Sequence, residues 1–405
     1  MADAPMDAHG PAELANERMI DAMIAEGALW SPPLIAAFRA TPRHRFLDRV
    51  FVFQHKQNRW REVITREPGP AELRLLYADR ALITHLSRPR RGERQVPISS
   101  SSQPTLMAQM LEDLELAPGQ KVLEIGAGTG YNAALIAHVV GSSRVTSIDV
   151  DRSVLAEAWD HLRHLPNRQV QLKHADGRCG FPESAPYDRI MVTAATLRIE
   201  RAWMEQLTIG GLLSAPLTLG PGLAFVLVGG VTDDVFTGRL MRAAYFMPLR
   251  AEGESGDNEE ASPAAERLEA LPAPWAEWLN RRRIRGGWLR LGQALAFYAL
   301  LRGLDLGYRA QQDGQPIFGI SDGSSECWLG PTQWLVNGHA ARRLGDNLWR
   351  AWLDAGGPWP TEFEVRIGIS GELIPGDGPE EYSREADGGC QVWRLMEHRE
   401  RGTWI

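Results

Sequence analysis

The chain is predicted to fold as an α/β protein. A doubly wound, mostly parallel sheet ends in an antiparallel closing strand, and a small α+β domain follows it. Three observations carry this expectation. Short apolar strands alternate with helical segments from residue 120 onward. A glycine-rich turn joins the first of these strands to its helix. An acidic stretch without large apolar residues, 251–265, separates this region from a tryptophan-rich tail.

Residues 1–12 are rich in Ala, Asp, Pro and Gly and read as disordered. They have neither a basic start nor an apolar core, so they do not read as a signal peptide. Beyond them Leu14, Met19, Ile20, Met23 and Ile24, then Leu34, Ile35 and Phe38, recur at helical spacing. Ser31-Pro32-Pro33 divides two helices there, with the serine as cap and the prolines in the permissive first turn. Residues 39–95 read as irregular and Arg-rich. Strands are expected at 121–125, 145–150, 169–174 and 189–194, and helices at 131–140 and 153–165. Segments 212–216, 224–228 and 243–248 read as closing strands without intervening helices.

Segment 251–265 carries five acids and no base and reads as a linker. The remainder, 266–405, holds ten of the fourteen tryptophans. It shows helical patterns at 275–303 and 338–355 and strand candidates at 317–321, 327–329, 333–336, 362–367 and 391–396. The division expected is therefore a disordered start (1–12), a helical segment with an insertion (13–95), a cofactor-binding domain (96–250), a linker (251–265) and an accessory α+β domain (266–405).

The composition bounds the function. The 405 residues are 44% hydrophobic and 23% charged, which suits a soluble globular chain of two or three domains. A net charge of −7 argues against general affinity for nucleic acid, which needs a basic surface. Only Lys56, Lys121 and Lys173 are lysines, a bias that reads as genome composition. Cys179, Cys327 and Cys390 show neither metal-ligand spacing nor a disulfide framework, so no metal is expected and a reduced, cytoplasmic chain is the natural reading. No apolar run approaches a membrane span, and no membrane partner is expected.

The chemistry centres on Val122-Leu-Glu-Ile-Gly-Ala-Gly-Thr-Gly-Tyr131, a glycine loop that follows a strand and opens a helix. Such a loop also suits a dinucleotide, or a tight turn without any ligand. Glu124 tips the choice: a carboxylate two residues before Gly126 suits the sulfonium and amino group of S-adenosylmethionine and is awkward beside a pyrophosphate. Asp149, 23 residues after Gly126, stands where an acid meets ribose hydroxyls in such sheets. Its neighbour Asp151 better fits a helix N-terminal acid. Asp176-Gly177 follows the third strand and could contact an adenine amino group or simply form an Asp-Gly turn.

Further segments sharpen this reading. Val96-Pro-Ile-Ser-Ser-Ser-Ser102-Gln-Pro104 precedes an apolar helix with Met107, Met110, Leu111 and Leu114. Downstream lie Ala175-Asp-Gly177, Ala185-Pro-Tyr-Asp-Arg-Ile190, Val192-Thr-Ala-Ala195, Gln206-Leu-Thr-Ile-Gly-Gly211 and Ala215-Pro216. In this order they resemble the protein-L-isoaspartate O-methyltransferases, as do the N-terminal helices and Pro42-Arg-His-Arg-Phe-Leu47. The resemblance covers about 14–50 and 77–220. It implies a Rossmann-like class I methyltransferase fold, S-adenosyl-L-methionine as cofactor, and a monomer acting on isoaspartate or aspartate in protein or peptide.

Residue by residue, the resemblance places Ser102 at the active-site serine before Gln-Pro. It places Glu124, Gly126, Gly128, Gly130, Asp149, Asp176 and Gly177 at the cofactor, and Thr193, Ala194 and Pro216 at the border of the substrate cleft. From the residues alone, Ser102 reads better as a helix cap or a solvated loop serine, because a four-serine run is usually flexible and polar. The implied reaction is methyl transfer to a carboxylate, which is already ionised at neutral pH and needs no general base.

The chain also departs from the compact repair enzymes. Thr196-Leu-Arg-Ile-Glu200 lacks the proline usual there, and both the 51–76 insertion and the C-terminal domain are additional. This long form resembles actinobacterial relatives that accompany ribosomal peptide modification, in which the acceptor is an aspartate of a precursor peptide. A small-molecule methyltransferase with the C-terminal domain as lid and a non-catalytic binding module are the competing readings; the intact loop speaks against the latter. Trp275, Trp278, Trp288, Trp328, Trp334, Trp349, Trp352 and Trp359 could line a peptide groove, but they read better as core. Arg281-Arg-Arg283-Ile-Arg285 could hold an acidic peptide, or form a solvated helix face. His44 and His339 have no partner in spacing and receive no role.

Overall fold

The structure is a computed structural model that describes residues 10–88, 94–164, 169–250, 267–270, 287–310, 316–330, 333–368, 381–386 and 389–395. The expected linker, Trp275, Trp278 and Arg281–Arg285 lie outside the described residues. The described residues pack as two units. One comprises 10–195, 200–215 and 246–250; the other comprises 196–199, 216–245 and the described residues from 267 onward.

The first unit opens with helices α1 (Pro11–Ala25) and α2 (Pro32–Ala40), each with proline in its first turn. Their buried faces are Met19, Ile20 and Met23, and Leu34, Ala37 and Phe38, as the periodicity predicts. Ser31 does not cap α2 through its side chain. Instead the N–H groups of Trp30 and Ser31 both donate to Glu112 Oε1 at 2.8 Å, so a distant carboxylate anchors the residues that lead into the helix.

The segment 39–95 is not irregular. It folds into β1 (Arg49–Gln54), β2 (Arg59–Ile64), helix α3 (Pro70–Leu76) and β3 (Leu82–Leu86), which join β4 (Pro97–Ser101) in an antiparallel sheet of order β2-β1-β3-β4. The β-branched and aromatic density of Arg49-Val-Phe-Val-Phe-Gln54 was the available signal; the arginines obscured it. Leu47, Val50, Leu76 and Leu82 form the core of this sheet, with Val63 and Tyr77 packed against them.

Beyond β4 runs α4 (Pro104–Asp113), and then the alternation expected from residue 120: β5 (Val122–Ile125), α5 (Tyr131–Val140), β6 (Val145–Asp149), α6 (Arg152–Leu162), β7 (Gln171–His174), β8 (Tyr187–Val192), α7 (Arg201–Glu205) and β9 (Leu207–Gly220). Strands β5 to β8 and the first part of β9 pair in parallel, in the order β9-β8-β5-β6-β7. β5 is buried at all four positions, as a central parallel strand must be. The order reverses beside β5: the chain winds out to β7 and then returns to the other side at β8. That topological switch opens a crevice at the carboxyl ends of the strands.

The second unit contains β10 (Leu223–Thr232) and β11 (Val235–Ala243), an antiparallel pair. The expected strand at 243–248 is thus displaced: the pairing strand ends at Ala243, and 244–247 is irregular. Two acidic residues in left-handed conformation, Asp233 and Asp234, make the two-residue turn between β10 and β11. Strands β17 (Phe363–Gly368), β19 (Gly389–Leu395) and β18 (Glu381–Ala386) extend this antiparallel array.

A separate antiparallel sheet has the order β12 (Arg267–Ala270), β16 (Gln333–Asn337), β15 (Glu326–Leu329), β14 (Pro316–Ser321) and β13 (Asp305–Ala310). Helices α8 (Gly287–Leu301) and α9 (Ala341–Asp354) pack on it through a cluster of Leu291, Leu295, Tyr298, Trp334, Trp349 and Trp352. Trp288 and Trp359 pack against the same cluster, and Trp328 carries the Arg309 guanidinium 4.3 Å from its ring centroid. The described tryptophans are therefore mainly core, not the lining of a groove. No described helix is long and apolar enough to cross a membrane.

Candidate active site

The glycine loop lies at the switch point. Gly126, Gly128 and Gly130 all have positive φ, of 100°, 51° and 80°, the conformation that favours glycine. The N–H groups of Gly126 and Ala127 donate to Ile148 O at 2.8 and 3.0 Å, tying the loop to the end of β6. Thr193, just past β8, donates its hydroxyl to Gly126 O at 2.8 Å and to Ile125 O at 3.0 Å. A Cβ at Gly126 would be driven into that hydroxyl. A Cβ at Gly128 would lie 3.6 Å from Ser100 O, so the end of β4 runs beside the loop.

Glu124 is fully buried and both carboxylate oxygens are engaged. Asn132 Nδ2 donates to Oε1 at 2.8 Å, and Ser147 Oγ donates to Oε2. Burial pushes its pKa up to about 7. The two hydrogen bonds pull the other way, and the charge of Asp149 adds to the rise. Asp149, at the end of β6, accepts from Gly128 N–H at 3.2 Å and from Asp151 N–H at 3.0 Å. Its pKa is also raised, chiefly by burial. Asp151 caps α6, its side chain accepting from Ser153 N–H at 2.8 Å.

Asp176 caps the short turn Gly177–Cys179 and pairs with Arg178 at 2.6 Å. That hydrogen bond holds its carboxyl below the ordinary range. Gly177 sits tight against the end of β5, where an added Cβ would lie 2.6 Å from Ile125 Cγ2. Its carbonyl accepts from Trp203 Nε1 at 2.7 Å. Thus Glu124, the loop glycines, Asp149, Asp176, Gly177 and Thr193 all lie at the carboxyl ends of the parallel strands. Ala194 follows Thr193 in the same unit. Pro216 lies on β9 in the other unit, where its carbonyl accepts from Thr196 N–H at 2.9 Å.

Ser102 follows β4 and is partly buried. Motif reasoning missed what holds it. Arg43, in the turn Arg43–Phe46, is fully buried and donates to Ser102 O at 2.9 Å and Ser101 O at 3.3 Å. Asp79 accepts from Gln103 Nε2 at 2.8 Å and from Thr105 N–H at 2.9 Å, securing the start of α4. The signal in the sequence was Arg43 itself, a charged residue between the apolar runs of α2 and Phe46-Leu47.

The donor set discriminates among ligands. Around the loop stand Glu124 and Asp149, and the loop itself, residues 126–130, has no Lys or Arg. Acidic surroundings and a loop without a base fit a ligand bearing cationic centres and ribose hydroxyls, and they oppose a pyrophosphate. S-adenosylmethionine has that chemistry.

Comparison with known proteins agrees. The family described as protein-L-isoaspartate(D-aspartate) O-methyltransferase matches residues 82–253. A protein-L-isoaspartate O-methyltransferase of Halorhodospira halophila (strain DSM 244 / SL1) is 34% identical over 236 residues, which is 58% of this chain and 90% of that protein. The chain belongs to the protein-L-isoaspartate O-methyltransferase family. It is a methyltransferase, and its cofactor is S-adenosylmethionine. A family member of Burkholderia mallei (strain SAVP1) is 33% identical over 241 residues, 59% of this chain and 64% of that protein. A solved structure named protein-L-isoaspartate O-methyltransferase superposes with a TM-score of 0.51 at 23% identity, covering 87% of this chain and 96% of its own, and so shares the fold.

Proposed function

We propose that the chain methylates the free carboxylate of L-isoaspartyl residues in proteins or peptides, with Ser102 orienting that carboxylate. The observation that carries this reading is the meeting of two elements: the glycine loop with Asp149 and Thr193, and the end of β4, whose Ser100 carbonyl lies beside Gly128 two residues before Ser102.

The bound cofactor supplies the electrophilic methyl group. Asp149 meets its ribose hydroxyls, Glu124 favours its cationic portion by charge from beneath the loop, the loop glycines let the backbone approach it, and Asp176 and Gly177 border its base. The acceptor carboxylate is ionised near neutral pH, so the protein has no proton to remove. Its task is to align the nucleophile and exclude water. The hydroxyl of Ser102 can donate to a carboxylate oxygen, whereas an acid in its place would repel it. Thr193 and Ala194 border the acceptor. An isoaspartyl methyl ester then loses methanol when the backbone nitrogen attacks it, leaving a succinimide that hydrolysis can open to aspartate.

We assign the protein to the cytoplasm as a monomer. Among the described residues Cys179 and Cys327 are in no disulfide, and the net charge of −7 supports a protein substrate over nucleic acid. The test incubates the protein and cofactor with an isoaspartyl peptide and its aspartyl twin. Methyl ester on the isoaspartyl peptide alone is expected. Equal methylation of both, or of neither, overturns the substrate assignment.

A further inference from the structure

Arg43 lies outside the cofactor loop, yet its guanidinium links three segments. Nε donates to Ser101 Oγ at 3.4 Å. Nη1 donates to Leu76 O at 2.7 Å and Ala78 O at 3.2 Å. Nη2 donates to Arg80 O at 3.1 Å, Ser101 O at 3.3 Å and Ser102 O at 2.9 Å. No carboxylate is among these acceptors. Asp79, within the loop that Arg43 holds, turns its oxygens to Gln103 and Thr105. Tyr131, the first residue of α5 after the glycine loop, is also buried, and its hydroxyl has no hydrogen-bond partner among the described residues.

Two consequences follow. The planar fork fixes the Ser101–Ser102 backbone far more tightly than a lysine could, because its donors point in set directions. A buried cation without a paired carboxylate is costly to fold. Its positive potential is weakly screened, offset only in part by the charge of Asp79, and acts at the carbonyl of the residue whose hydroxyl holds the anionic nucleophile.

We propose that Arg43 is a positioning residue for the methyl acceptor: it aligns Ser102 and lends positive potential to the carboxylate bound there. The inference rests on the role given to Ser102 above.

The test uses the full chain with Arg43→Lys and Arg43→Gln. Kinetics on the isoaspartyl peptide are measured beside calorimetry with S-adenosylhomocysteine. Arg43→Lys keeps the charge and loses the fork. Its kcat falls roughly ten- to a hundredfold while KM stays within about threefold. Arg43→Gln loses both, and its KM rises roughly a further tenfold. Binding of S-adenosylhomocysteine stays within about twofold of wild type in both.

A purely structural arginine would not split kcat from KM according to charge. Equal KM in the two variants, or cofactor binding that weakens in step with kcat, overturns the proposal. If Arg43→Gln does not fold, Arg43→Lys decides: wild-type kcat, or weakened cofactor binding, overturns it. Ser102→Ala separates this inference from the one beneath it. Unchanged turnover there removes the serine reading, whereas reduced turnover there with unchanged Arg43 variants removes only the role of Arg43.

Discussion

On the cofactor side of the site most contacts are short in sequence, the exception being Thr193, which reaches Gly126 across 67 residues. Asn132 reaches Glu124 across 8 residues, Gly128 reaches Asp149 across 21 and Ser147 reaches Glu124 across 23. On the acceptor side Ser102 is held by Arg43 from 59 residues upstream, and the same guanidinium gathers Leu76, Ala78 and Arg80. The first region is a strand–turn–helix–strand unit that carries its own instructions. The second is assembled by one buried cation from segments with no common motif. A local motif therefore tells which cofactor is bound, and long-range packing sets where the acceptor stands.

The largest effect expected is at the glycine loop. Gly126→Ala places a Cβ against Thr193 Oγ1 at a φ of 100°, which costs on the order of 1–3 kcal/mol in backbone strain alone. With the clash against Thr193 added, calorimetry with S-adenosylhomocysteine should find its affinity reduced about a hundredfold, the upper end of that range; near-normal affinity would mean that the loop does not cradle the ligand. Asp149→Asn should weaken binding by ten- to a hundredfold, the worth of a charge-assisted hydrogen bond of about 1.5–3 kcal/mol.

Ser102→Ala tests the other side of the contrast. Its kcat should fall about tenfold, one hydrogen bond to a charged group, while cofactor affinity is retained. Loss of both together would show that the two regions are not separable.

The smallest effect on binding is a pH dependence. Glu124 has a pKa of about 7 in the folded protein against an ordinary 4.5, so between those values the folded chain holds a proton that the unfolded chain has released. Stability from this group is greatest below pH 4.5 and falls as pH rises to about 7, by at most about 3 kcal/mol. A cationic ligand favours the ionised form, so S-adenosylmethionine should bind several-fold tighter at pH 8 than at pH 6. Glu124→Gln should flatten both trends, because its amide can still accept from Asn132 and donate to Ser147. An unchanged pH profile in that variant assigns the dependence elsewhere.

Much of the fold was readable because its signals are local. The parallel strands, the glycine loop and Asp149 follow from apolar runs, glycine spacing and an acid at a strand end. Helices α1 and α2 follow from a period of 3.6. The four-stranded sheet of 49–101 escaped because its alternation is interrupted by arginines and its partners are distant in sequence. The strand expected at 243–248 was misplaced because residues 244–247 are apolar beyond the last ladder pair, Phe225 with Ala243, and pairing, not hydrophobicity, ends a strand. The environment of Glu124 was only half legible. The acid could be read, but that it is enclosed by Asn132 and Ser147 could not.

By itself the sequence determined the cofactor class and the sheet that presents it, since a glycine turn between a buried strand and a helix has few other uses. Tertiary structure decided how Ser102 is held, through Arg43, and where the tryptophans go, into the packing of α8 and α9 on their sheet. The physical reason is the same in both cases. A hydrogen bond to a carbonyl or the burial of an indole leaves no mark on residue type at the far end of the contact, because any residue supplies a carbonyl and many supply an apolar surface.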